Sequence, residues 1–209
     1  MTFEGWEFGG IVIAHGLAVA SPGPDFALVI RQSLVHGRVA ALASAVGIGG
    51  GILVHVSYSL LGIGLLVGRT PEALVVLKYL GSGYLAWLGW NALRAQPVKR
   101  DPASPSTHVP QETKSAWVQG FLTNVLNLKA SFFFVALFSA VSENTPKPIQ
   151  ALYGGWMVLA TMVWFVLVAL VFTKPKVRAT FLNWGGWLDR LTGITFLGFA
   201  LSLAFAEVN

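Results

Sequence analysis

The sequence predicts an all-α polytopic membrane protein: six transmembrane helices in two inverted three-helix repeats, the first and fourth helices broken or kinked. Three observations predict it. Hydrophobic residues make up 55% of the 209 and charged residues only 11%, too few to coat a water-facing surface, which is nearer one-quarter charged in soluble domains. Six apolar stretches, roughly 8–36, 40–67, 73–94, 116–140, 149–172 and 187–206, meet the length a bilayer crossing needs. A polar segment holding Pro97, Pro102, Pro105 and Pro110 then divides them three and three, as expected of a flexible linker. The division is 1–95 for the first repeat, 96–114 for the linker and 115–209 for the second repeat, within one membrane domain.

The first stretch is too long for one straight crossing and holds Ser21-Pro22-Gly23-Pro24 near its middle. Two prolines remove two backbone donors and their rings clash with the preceding turn, while Gly23 loosens the backbone. Pro24 suits the first position of a new half-helix, which puts Asp25 in its first turn. Residues 1–10 carry Glu4 and Glu7 and no basic residue, so the positive start of a signal peptide is missing and the first apolar segment is expected to remain in the mature chain. In the second stretch Gly47-x-x-x-Gly51, with Gly49 and Gly50, makes a smooth face for close packing. The third carries Tyr84, Trp87 and Trp90 along roughly one face, and the fourth carries Asn124, Asn127 and Lys129 near its middle. Lys78-x-x-Gly81-x-x-Tyr84-Leu85 and Arg190-x-x-Gly193-x-x-Phe196-Leu197 open the third and sixth stretches. With three crossings per half these echoes enter from opposite sides, the mark of an inverted repeat.

Basic residues set the orientation. Arg31, Arg38, Arg94, Lys99, Arg100, Lys114, Lys174, Lys176, Arg178 and Arg190 fall on one side, and Arg69 and Lys147 on the other, with Lys78 a turn or two inside. The linker side is therefore expected in the cytoplasm and both termini outside. The net charge of +5 arises from these short clusters and does not point to nucleic acid.

Asp25 is the one acid deep inside an apolar stretch. A carboxylate there costs ~2.5–3.5 kcal/mol on insertion scales and normally faces a cavity or a partner. The freed amides of a broken helix suit an anionic group. Asn124 and Asn127 share a helix face that Ser131 extends, and Lys129 is the basic residue at the matching place in the second half. Asp25 and Lys129 are expected to lie close, directly or through water. His55, near the middle of the second stretch, is a candidate proton relay, and His15 a weaker one. An intramembrane His is also often a hydrogen-bonded packing residue, and helix–helix hydrogen bonding by Asn is common. Tyr84 is placed on the wall of a substrate cavity. With no Cys, no phosphate loop, no His-Glu-x-x-His and no Gly-x-Ser-x-Gly, nothing points to thiol chemistry, ATP hydrolysis, a catalytic metal or an acyl-transfer elbow. No cofactor is expected.

The run Ser21-Pro22-Gly23-Pro24-Asp25-Phe26 with Arg31-Gln32-Ser33-Leu34 and Gly37-Arg38 resembles the opening motif of the LysE/RhtB amino-acid exporter family. Gly120-Phe121-Leu122-Thr123-Asn124-Val125-Leu126-Asn127-Leu128-Lys129-Ala130 resembles its second motif, and Lys78-Tyr79-Leu80-Gly81 with Tyr84-Leu85 and Leu88-Gly89 also fits. The resemblance spans nearly the whole chain. It implies export of amino acids or related metabolites across the bacterial inner membrane, driven by the proton motive force, with Pro22, Gly23, Pro24, Asp25, Asn124, Asn127 and Lys129 along the substrate path. The family pattern has Pro where this chain has Leu128, so a gentler break is expected in the fourth stretch.

The residues themselves support a secondary exporter, with the ammonium of a zwitterion at Asp25 and its carboxylate at half-helix amides, Asn127 or Lys129. A single cavity acid favours neutral amino acids. Asp25 and His55 as an acid–base pair would instead make a membrane-embedded enzyme or lipid-handling protein, and a non-transporting membrane subunit is a third reading. The short chain suggests a homodimer.

Overall fold

The computed structural model describes residues 5–21, 23–61, 71–94, 111–141, 145–177 and 187–205, whose regular structure is all helical with no strand among them. The helices are α1 (Gly5–Ala20), α2 (Pro24–Arg31), α3 (Arg38–Leu60), α4 (Pro71–Arg94), α5 (Thr113–Val125), α6 (Leu128–Val141), α7 (Lys147–Phe172) and α8 (Trp187–Ala204). The linker 96–114 lies mostly outside the described residues, and its last two positions, Thr113 and Lys114, already belong to α5.

By length and composition α3 and α7 are each apolar enough to cross a membrane, and up to four crossings result if each of two bent pairs is one span. Residues 6–20 and 24–36 meet at 56°, and residues 113–125 and 128–138 at 55°. α8 contains the shorter apolar run Gly193–Ser202.

Local chemistry explains the bends. The hydrogen bond from Ser21 N to Leu17 O, 3.1 Å, is the last of α1. The Ala18 carbonyl would next bond the nitrogen of residue 22, and proline has no hydrogen to give. Gly23 is extended, φ −170° and ψ −177°, and α2 starts with Pro24 at its first position. At the second bend there is no proline, yet the angle matches the first, so the gentler break expected from Leu128 is not what the structure has. Asn127 does the work there: its side-chain oxygen accepts the Lys129 N–H at 3.1 Å and its own N–H bonds the Asn124 carbonyl at 2.9 Å. That is an N-cap, which starts α6 by a side-chain bond where Pro22 stops α1 by a missing donor. α2 runs on through a π turn, Gln32–His36, and the chain reverses at Gly37, whose φ of 88° suits glycine.

α3 is the central helix, packed on α5 and α7, while α4 and α8 pack on each other and α8 also touches α2. Lipid tails are as apolar as the side chains, so close van der Waals fit rather than escape from water holds such helices together. The α3–α5 contact shows it. A Cβ on Gly47 would fall far inside contact distance of the Trp117 carbonyl oxygen, and one on Gly120 inside that of Ser44. Ser44 Oγ then donates to the Ala116 carbonyl at 2.9 Å. α4 and α8 meet likewise at Gly89 and Gly193, each backbone oxygen 2.9 Å from where the other's Cβ would be.

Two of the buried apolar clusters lie along α7. One gathers Ile11, Ile52, Val56, Phe138, Ile149, Tyr153 and Met157, the other Val29, Ala41, Ala45, Ile48, Phe165 and Ala169. Along α7 the positions 149, 153 and 157 serve the first and 165 and 169 the second, at helical spacing. Thr161 is the position between them, at the level of the cavity.

Candidate functional site

A cavity lies where the two bends meet, lined by His15, Ala18, Ser21, Gly23, Asp25, Asn124, Asn127 and Lys129, with Ile52, Phe133, Phe134, Thr161 and Phe165 completing its apolar wall. Its water-accessible volume is about 50 Å³, room for a few water molecules at ~10–15 Å³ each.

Asp25, in the first turn of α2, points one carboxylate oxygen across to the other bend. Oδ2 accepts hydrogen bonds from Asn124 Nδ2 and Asn127 Nδ2, each 3.0 Å. Oδ1 is buried and, among the described residues, has no hydrogen-bond partner. Two amides aimed at one oxygen fix the carboxylate's orientation, and the positive end of α2 favours its charge. The other oxygen keeps its capacity to accept a donor.

Lys129 lines the same cavity without bonding Asp25. Its ammonium donates to the Ala18 carbonyl at 3.1 Å, to the Ser21 carbonyl at 3.3 Å and to the Ser21 hydroxyl. It thus supplies the donor that Pro22 cannot, and it places a cation at the negative end of α1. Each charge sits at the helix end of complementary sign, and a cavity separates them.

His55 does not line the cavity; it stands behind it, with 1% of its surface exposed. A carbonyl can only accept, so Nε2–H donates to Asn124 O at 2.9 Å, and the neutral ring's Nδ1 accepts from Tyr58 OH at 2.8 Å. Phe134 stacks on the ring, centroids 5.7 Å apart. His55 holds the end of α5 from which Asn124 and Asn127 reach Asp25. Both its nitrogens are engaged and neither meets Asp25, which removes the geometric basis for an Asp25–His55 acid–base pair. His55→Phe strips both bonds from a buried site. It is expected to cost about 1–3 kcal/mol, read as a lower melting temperature in detergent and a matching fall in folded protein.

Tyr84 is also away from the cavity. Its hydroxyl donates to the Gln119 carbonyl at 3.4 Å and its ring stacks on Trp87 at 5.9 Å, so the place expected for it on the wall is taken by other residues. A bond that long contributes little, and Tyr84→Phe is expected to leave transport within about twofold and stability within ~0.5 kcal/mol. Pro24 is buried at the head of α2, and Pro22 lies outside the described residues.

The residues that sequence reasoning underrated are His15 and Thr161, bonded to each other at 3.1 Å. Thr161 carries no sequence signal inside an apolar helix. A four-residue spacing that exposes one hydroxyl between two apolar clusters becomes visible only once α1 packs on α7.

The family model described as "LysE type translocator" matches residues 17–207. The chain belongs to the LysE type translocator family. It is a transporter, not an enzyme, and a multi-pass bacterial membrane protein. The threonine efflux protein of Salmonella typhi is 31% identical over 199 residues, covering 94% of this chain and 97% of the relative. The threonine efflux protein of Escherichia coli strain K12 is 29% identical over the same shares. The leucine efflux protein of Klebsiella pneumoniae is 29% identical over 193 residues, 88% of this chain and 87% of the relative. No solved structure matches the translocator.

Proposed function

We propose that this translocator exports amino acids from the bacterial cytoplasm as a secondary transporter coupled to the proton motive force. The observation that carries the reading is Asp25, a cavity-lining residue with one oxygen held by two asparagine amides and the other without a partner among the described residues, in a cavity that Lys129 also borders. A zwitterion needs both signs of charge a few ångströms apart, with donors and acceptors left over. Its ammonium would take Asp25 Oδ1. Its carboxylate would take the Lys129 ammonium in exchange for the helix carbonyls it now bonds. Proton uptake by Asp25 would release the ammonium. The efflux names of the relatives support the direction and the substrate class.

Six crossings in two inverted repeats would place this site at the midplane, with the linker cytoplasmic and both termini outside in the inner membrane. The nearly equal bends support that arrangement. So does the pairing of like with like, α3 on α7 and α4 on α8, which a pseudo-twofold axis in the membrane plane produces. A homodimer would bury further apolar surface of α4 and α8, such as Trp87 and Ile194.

The test is release of labelled amino acids, from a panel of neutral, basic and acidic members, out of loaded vesicles holding the purified protein. Release of one class that a protonophore slows is expected. Release of none by a monodisperse, inserted protein would overturn the reading.

A further inference from the structure

Asp25, Lys129 and the two asparagines account for the parts common to every amino acid. They leave unused the buried His15–Thr161 pair in the wall of the same cavity. His15 Nε2 and Thr161 Oγ1 are 3.1 Å apart, and the residues are 2% and 1% exposed. Their surroundings are aromatic: Phe133, Phe134 and Trp156 all lie against the imidazole, at 5.8, 6.2 and 5.7 Å between centroids. A hydrogen-bonded pair inside such a wall is costly to keep unless its remaining capacity is used. A threonine hydroxyl has one donor and two acceptor sites, so bonding His15 leaves it able to bond a second group.

Position matters as much as chemistry. His15 precedes Ala18 by three residues on α1, and Ala18 carries the Lys129 ammonium on its carbonyl. The pair therefore sits about one helical turn, ~4.5 Å, from the charged groups along the helix. That is roughly the reach of a short side chain from its own ammonium and carboxylate. We infer that the His15–Thr161 pair is the specificity-determining contact of the cavity, selecting a small amino acid that bears a side-chain hydroxyl over its aliphatic isostere. A hydroxyl both donates and accepts, so it complements Thr161 Oγ1 whichever way the His15 proton lies. An aliphatic group of the same shape leaves the pair's capacity unfilled, and sites built around a hydroxyl reject such analogues more strongly than apolar pockets reject a missing methylene.

The inference rests on the amino-acid export reading, and the test separates the two. Purified wild type, Thr161→Val and Thr161→Ser in vesicles are compared for export of L-threonine and L-valine, which differ by hydroxyl against methyl, with L-leucine as a third substrate. The wild type is expected to favour threonine over valine by at least about tenfold. Thr161→Val should erase that preference while still exporting valine, and Thr161→Ser should retain it. Export of threonine and valine at equal rates by the wild type overturns the inference and leaves the export reading standing. So does a preference that Thr161→Val does not change. Export of no amino acid overturns both. Should Thr161→Val fail to insert, His15→Asn is measured in its place, and an unchanged threonine-to-valine ratio there is equally decisive against the pair.

Discussion

Asp25→Asn is expected to reduce amino-acid export by at least about 100-fold while leaving the protein folded. The substitution is isosteric. An asparagine carbonyl oxygen can occupy the place of Oδ2 and keep both bonds from Asn124 and Asn127, each 3.0 Å long in the wild type. What it cannot keep is the charge on the free oxygen, where it would set an amide NH₂ against an incoming ammonium. Removing one partner of a desolvated charge pair costs about 3–5 kcal/mol, and each ~1.4 kcal/mol is tenfold. The measurement is initial export from loaded vesicles, alongside melting temperature and elution profile. Two assays separate the roles of the carboxylate. If uphill export is lost while exchange of labelled for unlabelled amino acid persists, Asp25 handles the proton alone. If both are lost, it binds the ammonium as well. Export within about twofold of wild type would remove Asp25 from the mechanism.

The largest effect on folding is expected from Gly120→Ala. The new methyl would be driven into the Ser44 backbone, which cannot rotate away as a side chain can. α3 and α5 would have to separate, breaking the Ser44–Ala116 bond and the reciprocal fit at Gly47. Overpacking costs typically about 1–3 kcal/mol, and the upper end applies where the obstacle is main chain. The bond from His55 to Asn124 O crosses the same interface, so its loss would also shift the asparagines that hold Asp25. Gly155→Ala is the matched control. Nothing lies within 4 Å of the added Cβ there, and replacing a helical glycine in open space should be neutral or stabilise by ~0.5–1 kcal/mol. Thermal melts of the two variants in one detergent are expected to move apart, with Gly120→Ala the lower. Equal melting temperatures would show that the α3–α5 contact yields at little cost.

Parts of this are legible in the sequence. Proline chemistry alone says that a helix stops before Pro22 and that Pro24 can start another, with Asp25 in its first turn. Glycines spaced by four announce that a helix comes close to something. The second bend was harder to read. The missing proline at Leu128 argued for a milder break, and the bend is equally sharp because Asn127 caps the next helix with its side chain, a local competition between backbone and amide that composition does not reveal. Tyr84 shows the opposite error. An aromatic face on a membrane helix is consistent with a cavity wall, a lipid interface or packing, and only the position of α5 decides that its hydroxyl goes to Gln119.

The sequence by itself determined the solvent and the local breaks: too few charges for water, apolar runs of bilayer length, and prolines and asparagines that interrupt two of them. Those follow from transfer free energies and backbone chemistry, which act residue by residue. Tertiary structure alone decided which groups meet. It set Asn124 and Asn127 on one oxygen of Asp25, gave Lys129 to the carbonyls of α1 instead of to that carboxylate, turned His55 into a support for the α5 end, and joined His15 to Thr161. Each of these is a contact between residues far apart in the chain, fixed by how the helices pack on one another, and helical periodicity carries no information about that packing.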